Sequence, residues 1–372
     1  MKLFKSLLVA PAALGLLAPM TATANELNLK DVSGYSSSEE VQNISEFNPA
    51  EELAVTNSRV DGLEARFNNF EAGGFSDTTT ASFSVDAVLG AIDGSTSETT
   101  SLDYQFNIGL STSFTGEDSL DITIDSGNST ASVMSKAMGF DAGTSLNVDG
   151  VTYSFPVGGA SMVVGDSTDL STAFTGACTY SAFTDLTPDD CGTGNSMGAG
   201  GKGVTAAMSY AFDSGFSLAG GVTSGNTAIL TDAADAFGIN AAYSADSYGV
   251  AVAYVTDDGG TGTDTTTWGL NGYYTFDLAS LSAGYETQET GGTDSSGYFV
   301  GLSFPEVGPG SVNVAAATTG LFADSATETL VYEASYSYAL NDGMTITPGI
   351  FITEVDGGDD LTGVAVKTSF SF

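Results

Sequence analysis

Between residues 166 and 202 the sequence gathers Asp166, Asp169, Asp185, Asp189 and Asp190 around the only two cysteines, Cys178 and Cys191, with a single Lys202 at the end of the stretch. Carboxylates at that density attract cations and repel anions, most strongly beside a low-dielectric wall. Two cysteines 13 apart are expected to pair in an oxidising compartment. Closing a loop of that size contributes ~3 kcal/mol against the unfolded chain. Catalysis has little to build on. There is no His, hence no Ser-His-Asp triad and no His-ligated metal, and carboxylate pairs are too numerous for one to stand out as an acid/base couple. No enzyme and no cofactor are expected. Gly259–Thr267 nearly fits a calcium-binding nonapeptide, but a solenoid needs that motif in tandem and it occurs once. Loop acids can hold Ca²⁺ loosely between carboxylates, with no ligand set defined. Asp257, Asp264, Asp356, Asp359 and Asp360 read as a solvated outer face.

The charge balance narrows the partners. Among 372 residues Lys plus Arg number 8 against 46 Asp plus Glu, a formal charge of −38. Such a surface repels nucleic acid. Disorder is excluded by the 42% hydrophobic content, with 15 Tyr and 22 Phe. Lys2 and Lys5, the apolar run Leu7–Leu17 and the Ala22-Thr-Ala24 site form an export signal over residues 1–24. No other run approaches the ~20 apolar residues of a membrane helix. An exported chain of this kind is either soluble or an outer-membrane barrel.

Residues 25–52 read as a polar tether. Across 53–72, Leu53, Val60, Leu63, Phe67 and Phe70 take a and d positions, a short coiled coil or an amphipathic helix packed on the body. From 75 to 372 period-two alternation replaces helical periodicity. Leu102, Tyr104, Phe106, Ile108 and Leu110 alternate with Asp103, Gln105, Asn107 and Gly109, and similar strands recur to the end. The spacing predicts sixteen strands, including 142–148 and 151–164 around an Asp149-Gly150 turn, 280–286 and 296–304 around a long link at Glu286–Asp294, and 343–353 containing Pro348. Pro348 cannot donate to a ladder and demands a bulge or a strand end. Short turns alternate with long acidic loops, the layout of a transmembrane antiparallel β-barrel. Aromatics near strand ends (Tyr243, Tyr254, Phe276, Tyr285, Tyr298, Phe304 and Tyr338) suit the two membrane interfaces. Ser, Thr, Asn, Gly and Asp on the other face suit a water-filled lumen.

The chain stops inside a strand, with Val366, Phe370 and Phe372 on one face. This ending resembles the C-terminal signal read by the barrel-insertion machinery of bacterial outer membranes. The Asp31–Gln42 stretch, Ser58-Arg-Val-Asp-Gly-Leu-Glu-Ala-Arg-Phe67 and Glu71-Ala-Gly-Gly-Phe-Ser76 resemble the cyanobacterial outer-membrane porins, relatives of the carbohydrate-selective and iron-uptake porins. The resemblance implies a Gram-negative outer membrane, a periplasmic N-terminus, a barrel that trimerises, and passage of small hydrophilic solutes and ions. It also implies that the 166–202 loop, after the fifth strand, folds inward and narrows the barrel as in general porins. The Asp set would then form a cation-preferring constriction. The family's S-layer-homology domain does not fit in the ten residues before Ser58, so wall anchoring is not carried over. A solute-specific channel for a sugar or metal complex, and a structural or adhesive surface protein, are the competing readings.

Overall fold

A computed structural model describes residues 59, 79–95, 100–128, 132–198, 201–225, 235–258 and 263–372. The chain divides into Met1–Ser76 and Asp77–Phe372. In the first unit only Arg59, exposed in a helix, is described. The export signal, the tether and the heptad positions Leu53, Val60, Leu63, Phe67 and Phe70 lie outside the described residues.

The second unit is one closed sheet. Its strands are β1 (Thr79–Asp93), β2 (Thr100–Thr112), β3 (Ser119–Gly127), β4 (Asn147–Val157), β5 (Ala160–Thr168), β6 (Gly203–Ala211), β7 (Phe216–Ser224), β8 (Asp235–Ser244), β9 (Tyr248–Asp257), β10 (Thr265–Thr275), β11 (Ser280–Thr290), β12 (Thr293–Val307), β13 (Gly310–Thr318), a two-residue β14 (Phe322–Ala323), β15 (Leu330–Asn341), β16 (Met344–Thr353) and β17 (Leu361–Ser371). Each wall strand pairs antiparallel with its sequence neighbour, and β1 pairs with both β2 and β17. Leaving aside β14, the wall is a sixteen-stranded barrel. β14 pairs with Ser295 and Ser296, where β12 runs beyond β13, and so covers an otherwise bare edge.

The alternation sets the two faces. Along β9, Val250 and Val252 are exposed while Ala251, Ala253 and Val255 are buried. The exposed large apolar side chains point to lipid, and aromatics pair there across strands, as Tyr254 does with Trp268 and Phe216 with Tyr243. Among the described residues no helix is long and apolar enough to cross a membrane. The last residue closes the ring: Phe372 and Phe83 exchange both backbone hydrogen bonds, at 2.8 and 3.0 Å, and their rings stack. Phe370 and Val366 pair with Val85 and Leu89 on the same face.

Three expectations are corrected. The Asp149-Gly150 pair is not a turn. Thr123 pairs with Gly150 and Ile124 with Val148, so Asp149 is the extra residue of a bulge inside β4. The turn falls at Gly158-Gly159, where Gly158 has φ 64°. The Asp-Gly signature serves bulges and turns alike, and the sequence alone does not separate them. The long link at Glu286–Asp294 is instead strand up to a tight Gly291-Gly292 turn, both glycines at positive φ. Pro348 sits within β16 with neither bulge nor strand end. Its ladder to β17 is continuous, while the pairing with β15 lapses between Ser335↔Gly349 and Tyr338↔Ile346. The missing N–H costs one local gap, partly bridged where Thr347 Oγ1 donates to Ser337 Oγ at 3.2 Å.

Candidate functional site

The segment after β5 folds back onto the inner wall, and inward side chains of four strands hold it in order. Thr175 N–H donates to Asn240 Oδ1 on β8 (2.8 Å), Ala177 N–H to Asn271 Oδ1 on β10 (2.9 Å) and Thr179 N–H to Ser282 Oγ on β11 (3.1 Å). On β15, Glu333 is 4% exposed and accepts four hydrogen bonds, from Tyr180 Oη, Phe183 N, Thr184 N and Thr184 Oγ1. Returning, Ser196 N–H and Asn195 Nδ2 donate to Glu286 on β11, at 2.6 and 2.7 Å. A buried carboxylate is tolerated where donors surround it, and here backbone N–H groups without secondary-structure partners supply them. Tyr180, half-buried beside the Glu333 carboxylate, has its phenol pKa pushed well above the ordinary range, by desolvation first and that charge second.

Apolar contacts complete the seat. Phe183 packs with Phe351, Val88, Ile92 and Ala365 of the wall and with Met134 from the short helix Val133–Ala137, which also folds inward. Asp185 N–H donates to Ala137 O at 2.9 Å and ties the two inward segments together. Cys178 and Cys191 form the expected disulfide, with Cα atoms 5.7 Å apart. Cys191 packs with Phe299 and Ala317. Gly284 of β11 faces the Cys191 carbonyl so closely that a Cβ there would overlap it. That is one place where the wall must be glycine.

The acids separate into groups. Asp185, Asp189 and Asp190 lie on the disulfide-closed ring and are exposed. Their side chains are open to solvent, but partial desolvation by the surrounding loop and wall first, and the Asp189 charge second, raise the carboxyl pKa of both Asp185 and Asp190. Asp141 adds to the effect at Asp185, and Asp169 at Asp190. Asp169 caps the turn Leu170–Thr172, accepting from Ser171 N–H at 2.8 Å. Asp166 does not belong with them. β5 continues to Thr168, and Asp166 pairs with Val151, on the outward face that Tyr153 and Val164 share. At the far end of the loop, Lys202 Nζ donates to Asp149 Oδ1 at 2.7 Å. Asp149, with Asp141 and Asp125 behind it, holds the ammonium pKa above its usual value.

Reasoning from sequence missed Glu286 and Glu333, the two carboxylates that carry the loop. The signal was available: in Tyr332-Glu-Ala-Ser-Tyr-Ser-Tyr-Ala-Leu340 the Glu is the only charge on a strand otherwise apolar or hydroxyl-bearing. Among the described residues no three carboxylate or thiol side chains gather closely enough to hold a metal ion. Of the nonapeptide-like stretch, 265–267 belongs to β10 and 259–262 lies outside the described residues.

A closed sixteen-stranded barrel with a lipid-facing apolar surface and a loop folded onto its inner wall defines a porin-type channel of the outer membrane. The Gram-negative porin family matches residues 57–359, and the chain belongs to that family. A curated, uncharacterized protein of Nostoc sp. (strain PCC 7120) is 32% identical over 167 residues, covering 40% of this chain and 28% of that protein. The chain thus spans under a third of that relative's length. Among solved structures, OprB of Pseudomonas putida at high pH superposes with TM-score 0.63 at 12% identity, over 79% of this chain and 94% of that one. The anion-selective porin of Comamonas acidovorans gives TM-score 0.58 at 14% identity, over 79% and 99%. OmpT of Vibrio cholerae with loop L8 deleted gives 0.56 at 10%, over 80% and 100%. At these identities the likeness is one of fold.

Proposed function

We propose that this protein is a passive, cation-preferring diffusion channel for small hydrophilic solutes and ions. In this reading residues 169–202 form its constriction and Asp185, Asp189 and Asp190 line it, with Asp169 at the loop root. The observation that carries the reading is the loop itself, seated on inward carboxylates and amides and presenting three aspartates on a disulfide-closed ring. Charge supports the sign of the selectivity. From Asp77 onward the only basic residues are Lys136, Lys202 and Lys367, against 36 Asp and Glu. A lumen so poor in cations favours positive permeants. The sequence resemblance to cyanobacterial porins supports a trimer, and the outward apolar face of the strands offers the surface for it. Both ends of the barrel lie at the short-turn side, which supports a periplasmic N-terminus.

Planar-bilayer recording under a KCl gradient tests the proposal. Stepwise openings with a cation-selective reversal potential are expected, with selectivity reduced in Asp185→Asn/Asp189→Asn/Asp190→Asn. A folded barrel that does not conduct rejects an open pore in favour of a structural or adhesive role. Saturation or block by one solute moves the reading to a solute-specific channel.

A further inference from the structure

Among the described residues, the inward segments leave part of the wall uncovered. Leu170 and Phe174 lie on β6–β9, the loop hydrogen bonds run from β8 to β15, and Met134 packs on β1 and β17. Among the described residues, part of the inner face over β3–β5 stays open. A cavity of about 290 Å³ lies there, lined by Asp121, Thr152, Asp149, Asp169 and Lys202 together with hydroxyl-bearing and glycine residues, and no apolar side chain. The bulge at Asp149 alters the local course of β4 at this cavity.

We infer that ions pass through this cavity, between β3–β5 and the root of the loop, and that Lys202 is the residue on that path that limits cation preference. The inference rests on the cation-preferring reading above. Lys202 is the single basic side chain lining the cavity. The other two basic residues of the barrel, Lys136 and Lys367, do not line it. The Lys202 side chain is 55% exposed although bonded to Asp149, so its charge faces the aqueous path and is not sealed in a core. A fixed ammonium there offsets part of the field of Asp121, Asp149 and Asp169. Removing it leaves three carboxylates on the path without an opposing charge.

The test uses the full chain, refolded and recorded under a tenfold KCl gradient. Lys202→Met is expected to raise the cation-to-anion permeability ratio about twofold or more, Lys202→Arg to keep the wild-type ratio, and Lys136→Met to leave it unchanged. Thr152→Cys, whose side chain lines the same cavity, is expected to lose current when a cationic thiol reagent is added. An unchanged ratio in Lys202→Met overturns the inference. So does a Thr152→Cys channel that is labelled, as judged by mass, yet conducts as before. Should Lys202→Met fail to fold, the Thr152→Cys result alone decides. A wild-type channel that prefers anions rejects the proposed function instead, before any variant is compared.

Discussion

Glu333 meets its four donors from a single turn of the loop, and replacing it separates anchoring from mere presence of charge. Glu333→Gln keeps the size and one acceptor oxygen but turns an amide NH₂ toward backbone N–H groups. Lost charge-assisted bonds and a stranded donor together cost on the order of 2–3 kcal/mol. The expected result is a lower guanidinium midpoint and a noisier open channel, read by fluorescence unfolding and by single-channel recording. A quiet channel of normal stability shows that the loop is held by its apolar seat alone. The aspartates give a second prediction at this scale. Because partial desolvation and the Asp189 charge raise the carboxyl pKa of Asp185 and Asp190, these groups take up protons at a higher pH than a free Asp, whose pKa is about 3.9. As pH falls they lose charge first, so the proposed cation preference is expected to decline while the pH is still above that value. Reversal potentials from neutral pH downward check this. Asp189→Asn, by removing the neighbouring charge, shifts the decline to lower pH.

Among the elements, β16 carries a defect that can be repaired. Pro348→Thr restores an N–H and a β-favouring side chain where pairing with β15 lapses. A gain of about 1 kcal/mol in unfolding free energy is expected, measured by urea titration in detergent. A loss shows that the proline ring packs usefully against lipid or a neighbouring protomer. The same element shows what was legible in the sequence. Strand number, face and order follow from period-two alternation, which survives a proline or a bulge. Local signals failed where one motif serves two geometries, as at Asp149-Gly150, or where acidic residues continue a strand up to a tight turn, as at Glu286–Asp294. That the loop turns inward was implied by its resemblance, in position and length, to the loop after the fifth strand of general porins, and its disulfide was legible from the two cysteines. The loop's fastening was not, because Asn240, Asn271, Glu286 and Glu333 lie 65–153 residues from the loop groups that donate to them, and only closure of the barrel brings them near. Asp166 was misplaced for a similar reason: the end of β5 depends on a register that β4 and its bulge set.

Taken whole, the proposed passage is lined mostly by carboxylates, with Lys202 as the opposing charge, and charge selectivity can be told apart from sieving by size through salt. A pore that only sieves passes potassium and chloride in proportions little affected by ionic strength. A pore selecting by fixed carboxylates does not, because counterions screen the wall. The Debye length is about 30 Å at 0.01 M and about 3 Å at 1 M, so at low salt the fields of Asp169, Asp185, Asp189 and Asp190 overlap across the passage, while at high salt each acts only on ions in contact. The cation-to-anion permeability ratio is therefore expected to rise several-fold as KCl is lowered from 1 M to 0.01 M at a constant gradient. Conductance at low salt should exceed the value scaled from bulk conductivity, since fixed carboxylates keep cations in the lumen. Neutralising Asp185, Asp189 and Asp190 together should flatten the salt dependence while leaving conductance at 1 M KCl nearly unchanged. If the variant keeps the full dependence, the selecting charges lie elsewhere on the wall, and Asp121 and Asp149 on the β3–β5 arc are the next to neutralise.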